Sequence, residues 1–292
     1  MKGLIIGIDI GGSTTKAVAL QNDRIVGFAA IQSLEPVAAA SGALGKLLSD
    51  LGRSLSDVEL LAATGVGSRR ISDRLLDLPV QKVDEITAIG IGGLALTGRR
   101  EALVVSIGTG TALVAAYEGG KRIIHVGGTG VGGGTLQGLS RLLLRTNSVA
   151  STERLAEKGD LSKIDLTVED LAGGNVGRIP GYATASNFGK LLDEANENDI
   201  AAGIVNLVGQ VIGVVSVFAA KAYDLEHSVV LVGRLAQSPS LVRRIFSVGT
   251  LFQITFTVPE QPDFCTAIGA AKWVQDPNNL DLKKVSITNS YL

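Results

Sequence analysis

The chain has 292 residues, 46% of them hydrophobic and 19% charged, so it can bury the core of one large or two modest domains and is not a disordered segment. A net charge of −1 excludes the overall basic surface that nucleic-acid binding uses, a local patch aside. One cysteine, Cys265, excludes an internal disulfide framework and a multi-cysteine metal site, and fits a reducing, cytoplasmic setting.

LIIGIDI reads as a strand and not a signal peptide, because Asp9 interrupts the apolar run and no cleavage site follows. TKAVALQ and RIVGFAAI alternate as two more strands, joined by a turn at Asn22-Asp23. Next come a helix over 38–51, a strand VELLAATG, a helix over 68–76, a short strand VQKV and a helix over 84–96. The plan then restarts. ALVVSIGTGTALVAAYEGGKRIIHVGG repeats the strand, Gly/Thr turn, strand, turn, strand order of GLIIGIDIGGSTTKAVALQNDRIVGFAA. This suggests a duplicated unit, with domains at 1–98 and 99–275 and a loose tail at 276–292. In the second half, helices are expected at 135–145, 168–171, 185–194, 199–223, 240–248 and 266–274, with strands SVVLVG and FQITFTV between the later ones. Residues 200–220 carry no charge and are long enough to span a bilayer. Asn206 and Gln210 in its middle and the acids Glu194, Glu197 and Asp199 before it favour a buried helix, one suited to subunit contact.

The glycines carry the chemistry. In GIDIGGSTTKAVAL, a strand ends at Asp9 and turns through Gly11, Gly12, Ser13, Thr14 and Thr15 to Lys16. Such a turn bares backbone N–H groups, hydroxyls and a cation to phosphate oxygens, while Asp9 suits a hydrated Mg²⁺. Taken alone it is equally an ordinary glycine hairpin. SIGTGT, with Thr109, sits at the matching place in the second half. Six of the eight residues Gly127 to Gly134 are glycine, ahead of a helix whose N-terminus, Gly132, Gly133, Gly134, Thr135, Leu136 and Gln137, would offer N–H groups to an anion. In VVLVGRLAQSPSLVRRI, Gly233 would let a flat ring such as adenine lie close to the backbone.

These pieces in this order resemble the acetate kinase, sugar kinase, Hsp70 and actin superfamily, and within it the type II pantothenate kinases. DIGGSTTK, SIGTGTAL, HVGGTGVGGGTLQGLSRLL, IPGYATASNFG and CTAIGAAKW carry the likeness over nearly the whole chain. The resemblance implies an α/β fold of two duplicated RNase H-like domains, the actin-like ATPase fold, with ATP and Mg²⁺ in the interdomain cleft. It implies phosphorylation of the primary hydroxyl of pantothenate, the first step of coenzyme A biosynthesis, by a homodimer. It leaves coenzyme A and its thioesters open as inhibitors, and gives no nucleic-acid or membrane partner. The catalytic acid is expected at Glu85 in VDEITAIG; that residue can also serve simply as a helix-N-terminal charge. One departure stands out. The family's arginine before VGG, which helps hold pantothenate, is His125 here, with Arg122 three residues earlier as a candidate substitute. Alternatives are a pantetheine or sugar kinase, a non-catalytic nucleotide-binding regulator, and the activator ATPases of 2-hydroxyacyl-CoA dehydratases. GIDIGGSTTKAV, the ATG of 63–65 and DEITA also resemble those activators, whose cluster cysteines are lacking here.

Overall fold

The computed structural model describes residues 3–12, 14–32 and 34–276; Ser13 and the expected tail beyond Asp276 lie outside the described residues. The chain clusters into two compact units. Of the described residues, one holds those up to 104, 114–125 and 259–276; the other holds 105–113 and 126–258. This division differs from a single cut near residue 98.

In the first unit, β1 (Leu4–Ile10), β2 (Thr15–Gln21) and β3 (Arg24–Ile31) form an antiparallel meander. β4 (Val58–Thr64) and β6 (Leu78–Lys82) add in parallel beyond β1, and β5 (Arg74–Leu75) closes the edge, giving the order β3-β2-β1-β4-β6-β5. β1 is apolar on both faces because both are covered. Ile6, Ile8 and Ile10, with Ala17, Ala19 and Leu61, pack on Ala40, Ala43, Leu44 and Leu47 of α1 (Pro36–Leu51). The opposite face, with Ile5, Val18 and Ala62, packs on α2 (Glu85–Thr97) and on the chain's last described helix, α8 (Cys265–Gln275). Glycines let these parts meet. A side chain at Gly7 would strike the Ala267 carbonyl, one at Gly92 the Cys265 carbonyl, and one at Gly269 the Ala88 carbonyl. Helix α8 thus completes the core of the N-terminal sheet.

The second sheet has the order β13-β12-β7-β8-β9, built from β7 (Ala102–Ile107), β8 (Thr111–Tyr117), β9 (Arg122–Thr129), β12 (Val229–Val232) and β13 (Phe256–Thr257). Its succession, three strands in sequence and then later strands beside the first of them, repeats that of the first sheet. The second unit adds α3 (Gly133–Leu144), α4 (Val149–Ala156), α5 (Val168–Ala172), α6 (Glu197–Ala222), α7 (Pro239–Phe252) and a ribbon of β10 (Leu166–Thr167) with β11 (Thr184–Ser186). Helix α6 is long and apolar enough to cross a membrane by length and composition, but two thirds of its apolar window (67%) is buried inside the protein. Gly209 and Gly213 bring it close to Arg244 and Val248 of α7, and its neighbours α3, α4 and α7 cover much of the surface expected to serve subunit contact.

Two predicted helices are absent. Residues 68–76 form a 3-10 turn (Val66–Arg70) and then β5, because Leu76 and Asp77 both adopt positive φ in a tight hairpin ahead of Pro79. Residues 185–194 form β11 and turns. There the Phe188 N–H donates to Asp165 Oδ1 at 2.9 Å, and Phe188 and Leu191 have positive φ, which no α-helix accommodates.

Candidate active site

In the first unit, Asp9 lies one residue from the end of β1. It is paired directly with Lys16 on antiparallel β2 and with Thr64 on parallel β4. Residues so paired share a sheet face, so carboxylate, ammonium and hydroxyl stand together on the side covered by α2 and α8. Gly65 follows Thr64 with φ +82°, and a Cβ there would lie 2.5 Å from Asp9 Oδ1 and 2.7 Å from the Ile10 carbonyl oxygen. Only glycine lets the strand end approach the carboxylate this closely.

Glu85 begins α2. The cap itself is made by Asp84, whose carboxylate accepts from the Thr87 N–H at 2.9 Å and from its hydroxyl at 3.1 Å. Glu85 is therefore not needed for capping. Its carboxyl is exposed at the surface yet flanked by enough protein that desolvation raises its pKa, and the charges of Asp9 and then Asp84 raise it further. Burial also raises the pKa of Asp9, against the pull of Lys16. The Asp9 charge thus opposes ionisation of Glu85, and a divalent cation is the natural complement to such carboxyls.

The first glycine turn is closed by Gly11 N–H donating to the Thr14 carbonyl at 3.2 Å, and Gly12 has open space where a side chain would stand. The hydroxyls of Thr14 and Thr64 are buried without a hydrogen-bond partner among the described residues. With the single carboxylate of Asp9 they fit a hydrated Mg²⁺ and its phosphate, since Mg²⁺ keeps most of its water and needs few protein oxygens. Thr15 departs from expectation. Its register partner is Ile10, so it faces the α1 side, away from Asp9 and Lys16, and it is fully buried.

In the second unit, the turn between β7 and β8 is clamped by α3. Gly108 N–H donates to the Gly110 carbonyl at 2.9 Å, Gly133 N–H to the Gly108 carbonyl at 2.8 Å, and Gly134 N–H to the Thr109 carbonyl at 2.8 Å. A side chain at Gly132 would meet the Thr109 carbonyl oxygen at 2.7 Å. These glycines hold the hairpin, which corrects the expectation that Gly133 and Gly134 offer free N–H groups to an anion. Thr109 stays exposed at the tip. Leu136 is wholly buried, so its side chain belongs to the core, and Gln137 reaches the Asn147 carbonyl at 3.5 Å. Thr135 braces the glycine turn by donating to the Gly130 carbonyl at 3.1 Å. Gly233 has φ +89°, and its close neighbour is the Ile107 backbone, 2.6 Å from an added Cβ, so the strand and not a ligand demands the glycine.

His125 is exposed on β9, and Arg122 lies over the Tyr117 ring at 4.0 Å. Residues three apart in a strand face opposite sides, so Arg122 does not supply the charge missing at His125. Sequence reasoning gave no role to Thr64 or Gly65. The signal that could have found them is their ATG segment at the end of an apolar run, like the Asp9-to-Gly11 end of β1.

The Fumble family model matches residues 101–253. A type II pantothenate kinase of Bacillus cereus (strain G9842) is 30% identical over 258 residues, 85% of this chain and 90% of the relative. That of Oceanobacillus iheyensis is 30% identical over 91% of this chain and 97% of its own. Among solved structures, the activator of the 2-hydroxyisocaproyl-CoA dehydratase from Clostridium difficile with bound ADPNP superposes with TM-score 0.70 at 20% identity, covering 99% of this chain and 100% of that one. A ROK family glucokinase from Streptomyces griseus in complex with glucose and AMPPNP gives 0.61 at 14%, covering 92% and 98%. These structures share the fold, the two-sheet actin-like ATPase architecture. Sequence identity along nearly the whole length goes further, and the chain belongs to the Fumble family, that of the type II pantothenate kinases.

Proposed function

We propose that this chain is an ATP-dependent kinase that phosphorylates the primary hydroxyl of pantothenate. The observation that carries the reading is the pair Asp9 and Glu85, each with its pKa raised, on a sheet end lined by unpartnered threonine hydroxyls. Asp9 would hold Mg²⁺ through oxygen, with Lys16 beside it for phosphate charge. Bound Mg²⁺ would neutralise charge developing on the transferred phosphoryl group. Glu85, free of the helix cap, would accept the proton of the acceptor hydroxyl, and a raised pKa brings a carboxylate nearer to the working range of a general base. In the second unit, the Thr109 turn, braced by α3, would present a phosphate contact. His125 stands where the family's arginine would contact pantothenate. An exposed imidazole cannot form the bidentate contact of a guanidinium, so a raised KM for pantothenate is expected.

The activator-type reading draws on the fold of its structural neighbour, but Cys265 is fully buried, its thiol pKa pushed up by burial, and it faces the Ile89 carbonyl. A thiol so placed is a poor cluster ligand. The test is incubation with Mg²⁺-ATP and pantothenate, reading phosphopantothenate by mass, alongside Glu85→Gln. Wild-type product, with loss of about 10²–10⁴-fold in the variant at unchanged nucleotide affinity, is the expected result. ATP turnover without phosphorylated pantothenate overturns the substrate assignment.

A further inference from the structure

One of the unpartnered hydroxyls at the site can be given a definite role. Thr64 ends β4, is 0% exposed, and its hydroxyl has no hydrogen-bond partner among the described residues. Burying a hydroxyl unpaired costs stability, and valine has the same shape, so a purely structural position would favour valine. The register sets Thr64 beside Asp9 on one sheet face, and the backbone of the next residue, Gly65, lies against the Asp9 carboxylate. Two more buried hydroxyls are without a partner among the described residues, that of Thr14 in the adjoining glycine turn and that of Thr15 on the α1 side, and of the strand threonines only Thr64 shares the face of Asp9.

We propose that Thr64 is a positioning residue whose hydrogen-bond partner arrives with the ligand: its hydroxyl oxygen accepts from a hydration water of the divalent cation that Asp9 holds. This rests on the assignment of Asp9 to the cation. Outer contacts of this kind orient a metal's ligands and carry about 10–100-fold in its affinity. The hydroxyl is thus a fixed acceptor held without a partner at a cost to folding, and it is satisfied when Mg²⁺ and nucleotide bind.

The experiment compares wild type, Thr64→Val, Thr64→Ser and Asp9→Asn by thermal unfolding, alone and with Mg²⁺-ADP, and with ADP plus chelator as blank. Without ligand, Thr64→Val should melt about 2–4 °C above wild type, because the idle hydroxyl is gone. Its Mg²⁺-dependent rise in Tm should shrink, corresponding to about 10-fold or weaker Mg²⁺-ADP binding, and Thr64→Ser should restore it. A Thr64→Val protein that melts below wild type without ligand, or keeps the full Mg²⁺-dependent rise, overturns the inference. If the wild type shows no Mg²⁺-dependent rise, or Asp9→Asn keeps it, the assignment of Asp9 fails and the inference with it. Loss in Asp9→Asn beside retention in Thr64→Val isolates the failure to Thr64.

Discussion

Gly269→Ala tests how Glu85, the proposed catalytic acid, is held in place. Gly269 of α8 faces α2, and an added Cβ would fall on the Ala88 carbonyl oxygen and lie 2.7 Å from both the Ala88 carbonyl carbon and the Gly92 nitrogen. These are backbone atoms and cannot rotate away. Restoring 3.4 Å, the start of ordinary van der Waals contact, to the nearest of these atoms, the Ala88 carbonyl oxygen, moves the helices apart by about 1.6 Å. Helix α8 is itself held on β1, where Ala267 meets Gly7, so α2 is the part that yields, and Glu85 at its N-terminus moves relative to Asp9. Overpacking of this kind costs about 1–3 kcal/mol. Near 300 residues that lowers Tm by roughly 2–4 °C for each kcal/mol. A displacement of about 1 Å or more at a reacting group costs about 100-fold in kcat. Unfolding by circular dichroism and steady-state kinetics read the two effects. Gly45→Ala is the control: it lies on α1 with open space around its Cβ position and should gain about 0.5–1 kcal/mol from helix propensity. A Gly269→Ala protein with wild-type Tm and kcat would show that α2 is not positioned by this contact.

Gly12→Ala has no folding reason to fail, since its Cβ would enter open space; Tm should stay within about 1 °C while the KM for ATP rises about 10-fold or more, read by kinetics. Asn206→Leu removes the Nδ2 donor that reaches the buried Asp165 Oδ2 at 2.6 Å and should cost about 2–3 kcal/mol, seen as a lower urea midpoint at unchanged slope. Asp170 is held well below the usual carboxylate range, first by the Lys190 ammonium at 2.8 Å and then by the Thr167 N–H. A depressed folded pKa gives stability that is present above the unfolded value and lost as pH falls below about 3.8, so wild type should exceed Asp170→Asn in Tm at pH 6, with the gap closing toward about pH 2.

The parts of the fold legible in the sequence are those whose information is local. The strands of both meanders show in alternating or continuous apolar runs, and α1, α2 and α6 in their apolar content and ends. The two helices predicted over 68–76 and 185–194 failed for different reasons. The first is undone by paired positive φ at Leu76 and Asp77, neither a residue that announces it. The second is undone by Asp165, some twenty residues earlier in the chain, which captures the Phe188 N–H. Glu85 could be nominated from VDEITAIG, but that Asp84 alone makes the cap required coordinates. The glycines before α3 looked like an anion nest because sequence shows bare amides and not the carbonyls that occupy them. Thr64 ends a recognisable ATG segment, but its meaning lies in register, which sets it opposite Asp9 across a parallel pair.

The order in which the chain leaves the ribosome gains weight from the placement of α8. The sheet that begins at Leu4 has one face covered in part by α2, and that covering is completed only when residues 265–275 have been made. At about 5–20 residues per second, that leaves the apolar Ile5, Val18 and Ala62 face without α8 for roughly 10–50 s of synthesis. Early strands of this kind are natural clients for chaperones, and a chain cut short before α8 should be recovered as aggregate or degraded product, even though both glycine turns and Glu85 are already present in it.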